Sequence, residues 1–215
     1  MINFKKYGKR CLSLFLAASM ILMPSVQTFA EEETAAATTD STQTEEEDRE
    51  TQRQNCYAIV PDSNSVENWP QGPATYADSA IVMDMNSGAV LYSKQIEKKH
   101  YPASITKLLT TLVALDNAEL TDTVEFSQDS ISFLEYGDAH IGMTPGEQIS
   151  MEDALYAVLL ASANEVSYAV AESVGKKMGG GYDTFIQAMN DESEKLGCTG
   201  SHWTNANGLH DEQHY

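Results

Sequence analysis

The chain has 215 residues, 32 acidic against 13 basic side chains, and a formal net charge of −19. A surface this acidic excludes nucleic acid and anionic membranes as electrostatic partners. Three cysteines, Cys11, Cys56 and Cys198, are too few for a disulfide-built scaffold, and no metal-ligand spacing surrounds them.

Residues 1–30 read as a secretory signal peptide. Lys5, Lys6, Lys9 and Arg10 form a basic start, Leu12 to Met23 an apolar stretch, and Thr28-Phe29-Ala30 resembles a small-residue cleavage site. The apolar run is short for a membrane span. An uncleaved anchor is the alternative, and the cleavage-like site and polar sequence behind it argue against that. Export follows, and Cys11 would leave with the signal. An oxidising compartment permits a Cys56–Cys198 bridge, although two separate thiols are the stronger expectation.

Residues 31–75 are expected to form an acidic disordered spacer and a turn-rich lead-in. Glu31 to Asn55 carries nine acids against two arginines and no apolar periodicity. Such a segment buries too little to offset its ordering entropy. Without the signal and this spacer, residues 56–215 retain a charge of −16 and only seven lysines. That length suffices for one domain with a real core.

The folded part opens with strand-like Ser79 to Met85 and Ala89 to Ser93. Asn86-Ser87-Gly88 between them has hairpin chemistry. Pro102 marks a boundary, and Ser104 to Asn117 is predicted as a helix, apolar at Leu108, Leu109, Leu112, Val113 and Leu115. Thr123 to Phe126 reads as a short strand and Thr144-Pro145-Gly146-Glu147 as a turn. Ser150-Met151-Glu152-Asp153 has a helix-cap pattern and opens a helix through Leu160. Glu165 to Val174 and Tyr182 to Leu196 are further helices. A hairpin followed mainly by helices is an α+β order.

Ser104 and Lys107, three residues apart, would share one helix face near its start. A serine hydroxyl needs a base to become a nucleophile, and a lysine whose pKa is lowered can be that base. An ordinary helix N-cap is the competing reading of Ser104. Ser173-Val174-Gly175-Lys176 repeats the spacing at the end of a helical run, where a developing alkoxide is disfavoured. Ser162-Ala163-Asn164 stands at a helix junction, where a hydroxyl and an amide can face a cleft. A cap or kink explains that triplet equally well by itself.

As a set these residues resemble the penicillin-binding protein and serine β-lactamase superfamily, whose motifs include Ser-x-x-Lys and a Ser-x-Asn-type element. The likeness is nearest to low-molecular-weight D-alanyl-D-alanine carboxypeptidases. It rests on Ala80 to Asp84 with Ser87-Gly88, Tyr101 to Lys107, Pro145-Gly146-Glu147, Ser162 to Glu165, and Asn205-Ala206-Asn207-Gly208-Leu209.

The resemblance implies a β-lactamase/transpeptidase-like α+β domain, with a helical cluster packed on an antiparallel sheet. Residues 76–215 would be its N-terminal part. It implies Ser104 as the acylated nucleophile, Lys107 as its base, Ser162 as a proton relay, and Asn164 as a contact for substrate backbone or for Lys107. The implied substrate is a peptidoglycan stem peptide ending in D-Ala-D-Ala, with β-lactams as covalent inhibitors and no cofactor or metal. The implied setting is the cell envelope, in cell-wall biosynthesis and remodelling.

Two departures stand out. Ala163 occupies a position where the family usually has Gly, a mild change if that backbone avoids positive φ. The superfamily's third motif, Lys-Thr-Gly, does not occur in the 215 residues. The expectation is therefore a domain incomplete at its C-terminus, without the family's later strands, β-domain and peripheral membrane-binding helix. If truncated there, the 215-residue chain is expected to lack carboxypeptidase turnover; the alternatives to the carboxypeptidase reading are a non-catalytic binder of penicillin or peptidoglycan and a β-lactamase-like hydrolase. His210 and His214, four apart, offer a zinc alternative. Asp211 stands where the metalloprotease pattern needs Glu, so a solvated loop is the stronger reading.

Overall fold

The computed structural model describes residues 46–215. The signal-peptide reading of residues 1–30 and the spacer reading of residues 31–45 fall outside the described residues. The chain divides into two compact units, one ending at Lys94 and one running from Gln95 to Tyr215.

The first unit departs from expectation at its start. Residues 46–58, read above as unstructured spacer, are helical (α1). Composition alone misleads here because the charges are spaced to pair along a helix. Arg53 meets Glu50 at 3.6 Å, and the Gln54 amide donates to Glu50 at 2.7 Å. Such i,i+3 and i,i+4 pairs support an isolated helix.

The predicted hairpin forms from β1 (Ala80–Met83) and β2 (Val90–Lys94), paired antiparallel. Gly88 at φ 71° supplies the left-handed turn residue. The unit is pinned by Lys94, which is fully buried. Its Nζ donates to the carbonyls of Cys56, Thr75 and Ala77 at 2.6, 2.9 and 2.7 Å, so three hydrogens meet three acceptors.

The second unit is mainly helical. Its elements are α2 (Thr106–Asn117), β3 (Thr123–Glu125), α3 (Asp129–Ser132), β4 (Gln148–Ser150), α4 (Met151–Leu160), α5 (Asn164–Lys177) and α6 (Tyr182–Lys195). Strand β4, between the turn at Thr144–Glu147 and the cap at Ser150, pairs antiparallel with β3 and is not predicted from the sequence. Three residues are too few for an alternation pattern to show. Ser150 caps α4 as its pattern predicts, accepting from the Asp153 N–H at 3.1 Å.

Helix α5 is the hub, packing against α2, α4, α6 and β3. Val166, Ala169, Val170 and Val174 on α5 meet Phe185 and Met189 from α6 in one buried cluster. Fully burying a side chain of this kind contributes about 1.5–3 kcal/mol.

Helix α2 buries only part of its apolar set. Leu109 and Val113 lie in the core, but Leu108, Leu112 and Leu115 are exposed, while Thr106, Lys107 and Thr110 are buried. The polar residues go inside because partners await them there. Those partners are Ser104, Asn164 and the loop of residues 202–215.

Candidate active site

Ser104 lies in a single 3-10 turn, Ala103–Ile105, that leads into α2. Its hydroxyl caps no helix N–H. Instead Ser104 Oγ stands 3.2 Å from Lys107 Nζ and 2.9 Å from Ser162 Oγ. The N-cap alternative is therefore set aside by geometry. Ala103, just before Ser104, sits at φ 48°, and Ser162 at φ 55°. Left-handed backbone at non-glycine residues costs about 1–3 kcal/mol and persists where the surroundings impose it. Ala163, by contrast, has φ −64°, so alanine replaces glycine there without strain.

Lys107 is 2% exposed and makes three polar contacts. Besides Ser104 Oγ, its Nζ reaches Asn164 Oδ1 at 2.8 Å and the Asn207 carbonyl at 2.6 Å. No carboxylate among the described residues hydrogen-bonds to it. Burial pulls its pKa from 10.5 down to about 8, while the charges of Asp138 and Glu165 push the other way. The contact set suits a base. A neutral amine has two hydrogens and one lone pair. The two fixed carbonyl-type acceptors take the hydrogens, which leaves the lone pair facing Ser104.

Asn164 is buried at the start of α5, and its backbone N–H donates to the Ala139 carbonyl at 2.8 Å. The adjacent Glu165 is fully buried and accepts the Ile141 N–H at 2.7 Å. These two bonds anchor the loop of residues 134–143 beside the Ser162–Asn164 junction.

The loop after α6 closes the site from the other side. Beyond the Asn207 contact, its Ala206 carbonyl accepts from Thr110 Oγ1 at 2.7 Å. Gly208, at φ 85°, presses against the peptide that carries Ser104. A Cβ at Gly208 would lie 1.9 Å from the Ala103 carbonyl oxygen and 3.0 Å from Ser104 N. Only a residue without a side chain lets the loop approach so closely.

Ser104, Lys107, Ser162 and Asn164, which the sequence analysis singled out, thus converge in one place. The competing Ser173-x-x-Lys176 does not form such a site. Lys176 is exposed and pairs with Glu172 at 2.9 Å. Residues 66–215 match the family model of D-alanyl-D-alanine carboxypeptidases. The chain belongs to that family. It is similar to the D-alanyl-D-alanine carboxypeptidase DacF of Bacillus subtilis, at 33% identity over 144 residues, covering 65% of this chain and 35% of the relative. Likeness to DacC of Escherichia coli is 30% over 161 residues, covering 71% of this chain and 39% of that one. A solved D-alanyl-D-alanine carboxypeptidase from Mycobacterium tuberculosis superimposes with a TM-score of 0.57 at 31% identity, over 73% of this chain and 54% of that structure. The chain thus spans well under half the length of these curated relatives. Such neighbours give the chain the α+β penicillin-binding protein fold.

Sequence reasoning missed the part played by the loop of residues 202–215. The Asn207 and Ala206 contacts come from backbone carbonyls, which no residue type announces. The run Asn205 to Leu209 was visible only as a family likeness. His210 and His214 take separate partners. The first lies edge-on to Tyr101, with ring centroids 4.7 Å apart, and the second is buried against Thr106. Among the described residues no group of three His, Cys, Asp or Glu side chains is arranged to hold a metal. Cys56 and Cys198 are both free thiols.

Proposed function

We propose that this chain carries the acylation machinery of a serine-type D-alanyl-D-alanine carboxypeptidase, which removes the terminal D-alanine from peptidoglycan stem peptides. The observation that carries the reading is the placement of Ser104 Oγ between Lys107 Nζ and Ser162 Oγ, with Lys107 held by two neutral acceptors.

In this reading neutral Lys107 takes the Ser104 proton as Oγ attacks the carbonyl carbon of the penultimate D-alanine. The backbone N–H of Ser104 donates to the developing oxyanion, an interaction that often supplies a large share of catalysis. Lys107 returns the proton through Ser162 to the leaving amine, the C–N bond breaks, and D-alanine departs. Water then attacks the Ser104 ester. Its proton passes to Lys107 and on to Ser104, and the shortened peptide is released. Asn164 holds Lys107 through Oδ1 and offers its amide N–H groups to the substrate backbone. β-Lactams would acylate the same oxygen. The setting we propose is outside the cytoplasm, in the cell envelope after export. Among the described residues no helix is long and apolar enough to cross a membrane.

The test is labelling with a fluorescent penicillin, followed by mass mapping and by assay of D-alanine release from a stem-pentapeptide mimic. The adduct should sit on Ser104 and vanish in Ser104→Ala. Labelling without D-alanine release would leave a penicillin-binding module. Release of hydrolysed penicillin at comparable speed would favour a β-lactamase.

A further inference from the structure

The loop of residues 202–215 is tied shut at its ends. His202 N–H donates to the Tyr215 carbonyl at 2.6 Å, and Tyr215 N–H returns a bond to His202 at 2.9 Å. That closure sets His214 opposite Thr204, under the edge of the Trp203 ring, with centroids 5.4 Å apart. The imidazole is 2% exposed. Thr204 N–H donates to its Nδ1 at 3.0 Å. A backbone N–H can only donate, so Nδ1 must carry a lone pair. The hydrogen of the neutral ring then sits on Nε2, 2.8 Å from Thr106 Oγ1, a fully buried hydroxyl. Thr106 is the first residue of α2 and lies between Ser104 and Lys107.

We propose that His214 is a positioning residue for this site: as the neutral Nε2–H imidazole it holds Thr106, and with it the turn that aims Ser104 and Lys107, and it loosens when protonated. The role rests on the carboxypeptidase reading above, since it concerns the aim of that nucleophile and base. The same loop already grips Lys107 through Asn207 and abuts the Ala103–Ser104 peptide through Gly208. His214 is the titratable member of this three-point clasp.

Protonation would put an N–H on Nδ1, facing the Thr204 N–H at 3.0 Å. Two donors cannot bond each other, so the ring must turn away from that N–H toward the Thr204 hydroxyl, 3.3 Å from Nδ1, or the loop must move. The charged groups around the ring pull in different directions. Asp211 favours the charged ring and His202 opposes it, both from the same loop. Lys107 lies next to Thr106 on α2, and Lys99 stands 3.8 Å from the neighbouring Tyr215 ring. Burial dominates and holds the pKa of His214 below the usual 6.5. The clasp is therefore closed at neutral pH and opens in acid.

Two readouts test this on the intact protein. Imidazole nitrogen NMR should show His214 as the Nε2–H tautomer at neutral pH, titrating below an ordinary histidine. An Nδ1–H tautomer or an ordinary titration would overturn the proposal, whether or not the protein reacts with penicillin. The second readout is the pH profile of acylation by penicillin. Its acid limb should fall about tenfold per pH unit while only Lys107 protonates, then steepen to about a hundredfold as His214 joins. In Thr106→Val and in His214→Gln the steepening should vanish. Acylation near pH 8 should drop about tenfold in His214→Asn, which reaches Thr204 but not Thr106. It should be partly restored in His214→Gln, whose longer amide reaches Thr106. Circular dichroism must show each variant folded across the range. An unchanged slope in the parent, or steepening that persists in both variants, would show that His214 only packs. No acylation at any pH would instead sink the carboxypeptidase reading and leave the NMR result to judge the clasp.

Discussion

Replacing Asn164 by Asp would test whether Lys107 works as a neutral base. The change keeps the shape of the side chain but sets a carboxylate 2.8 Å from Lys107 Nζ. Lys107 now titrates at about 8, because burial penalises its charge. An opposite charge at this distance raises a pKa by about 1–3 units. At pH 7.5 a lysine of pKa 8 is about one-quarter neutral, whereas at pKa 9 it is about 3% neutral. Acylation at that pH should therefore fall at least about eightfold. The sign is fixed by the mechanism: the base must be neutral, so the rate rises with pH through its pKa. The parent acid limb should centre near 8, and that of Asn164→Asp at about 9 or above. Part of the parent rate should return at high pH, short by what the lost Asn164 amide donors give to substrate binding. The assay is the rate of fluorescent-penicillin acylation from about pH 6 to pH 11. A uniform loss at every pH, with the midpoint unmoved, would mean that Asn164 serves geometry alone and that Lys107 is not the titrating base.

Further outcomes follow from the same contacts. Lys107 has a folded pKa of about 8 against 10.5 in the open chain, so between those values the unfolded state holds more protons. Stability should rise across that window, by up to about 3 kcal/mol. Thermal melts should lose that rise in Lys107→Met. Lys107→Arg should not restore acylation, because guanidinium stays protonated; near-normal labelling would make Lys107 only an electrostatic partner. Gly208→Ala would drive a Cβ to 1.9 Å from the Ala103 carbonyl at a left-handed position. A displacement of about 1 Å at Ser104 should slow acylation on the order of a hundredfold. An unchanged rate would show that the loop yields instead. Ser173→Ala should label like the parent.

The parts of this protein legible in its sequence are those governed by a few neighbouring residues. The hairpin follows from Asn86-Ser87-Gly88 and its flanking apolar runs, and the start of α4 from Ser150 and Asp153. Ser104 and Lys107 meet because a helical turn joins residues three apart. The helix at residues 46–58 is local too, but acidic composition masked its pairing pattern. What tertiary structure alone decided lies farther apart in the chain. Place along the helix already set Ser104 apart from Ser173, and the fold adds the partners: Ser162 against Ser104 and Asn164 against Lys107, but an ion pair with a largely buried Glu172 for Lys176. Hydropathy marked the apolar residues of α2, of which Leu109 and Val113 are core and Leu108, Leu112 and Leu115 are exposed. It could not see that carbonyls of Asn207 and Ala206 and the ring of His214 await Lys107, Thr110 and Thr106. A polar side chain is buried at little cost where its partners are already held in place. Those partners come from a loop about a hundred residues away, and its carbonyls are common to every residue type, so no local pattern in the sequence marks them.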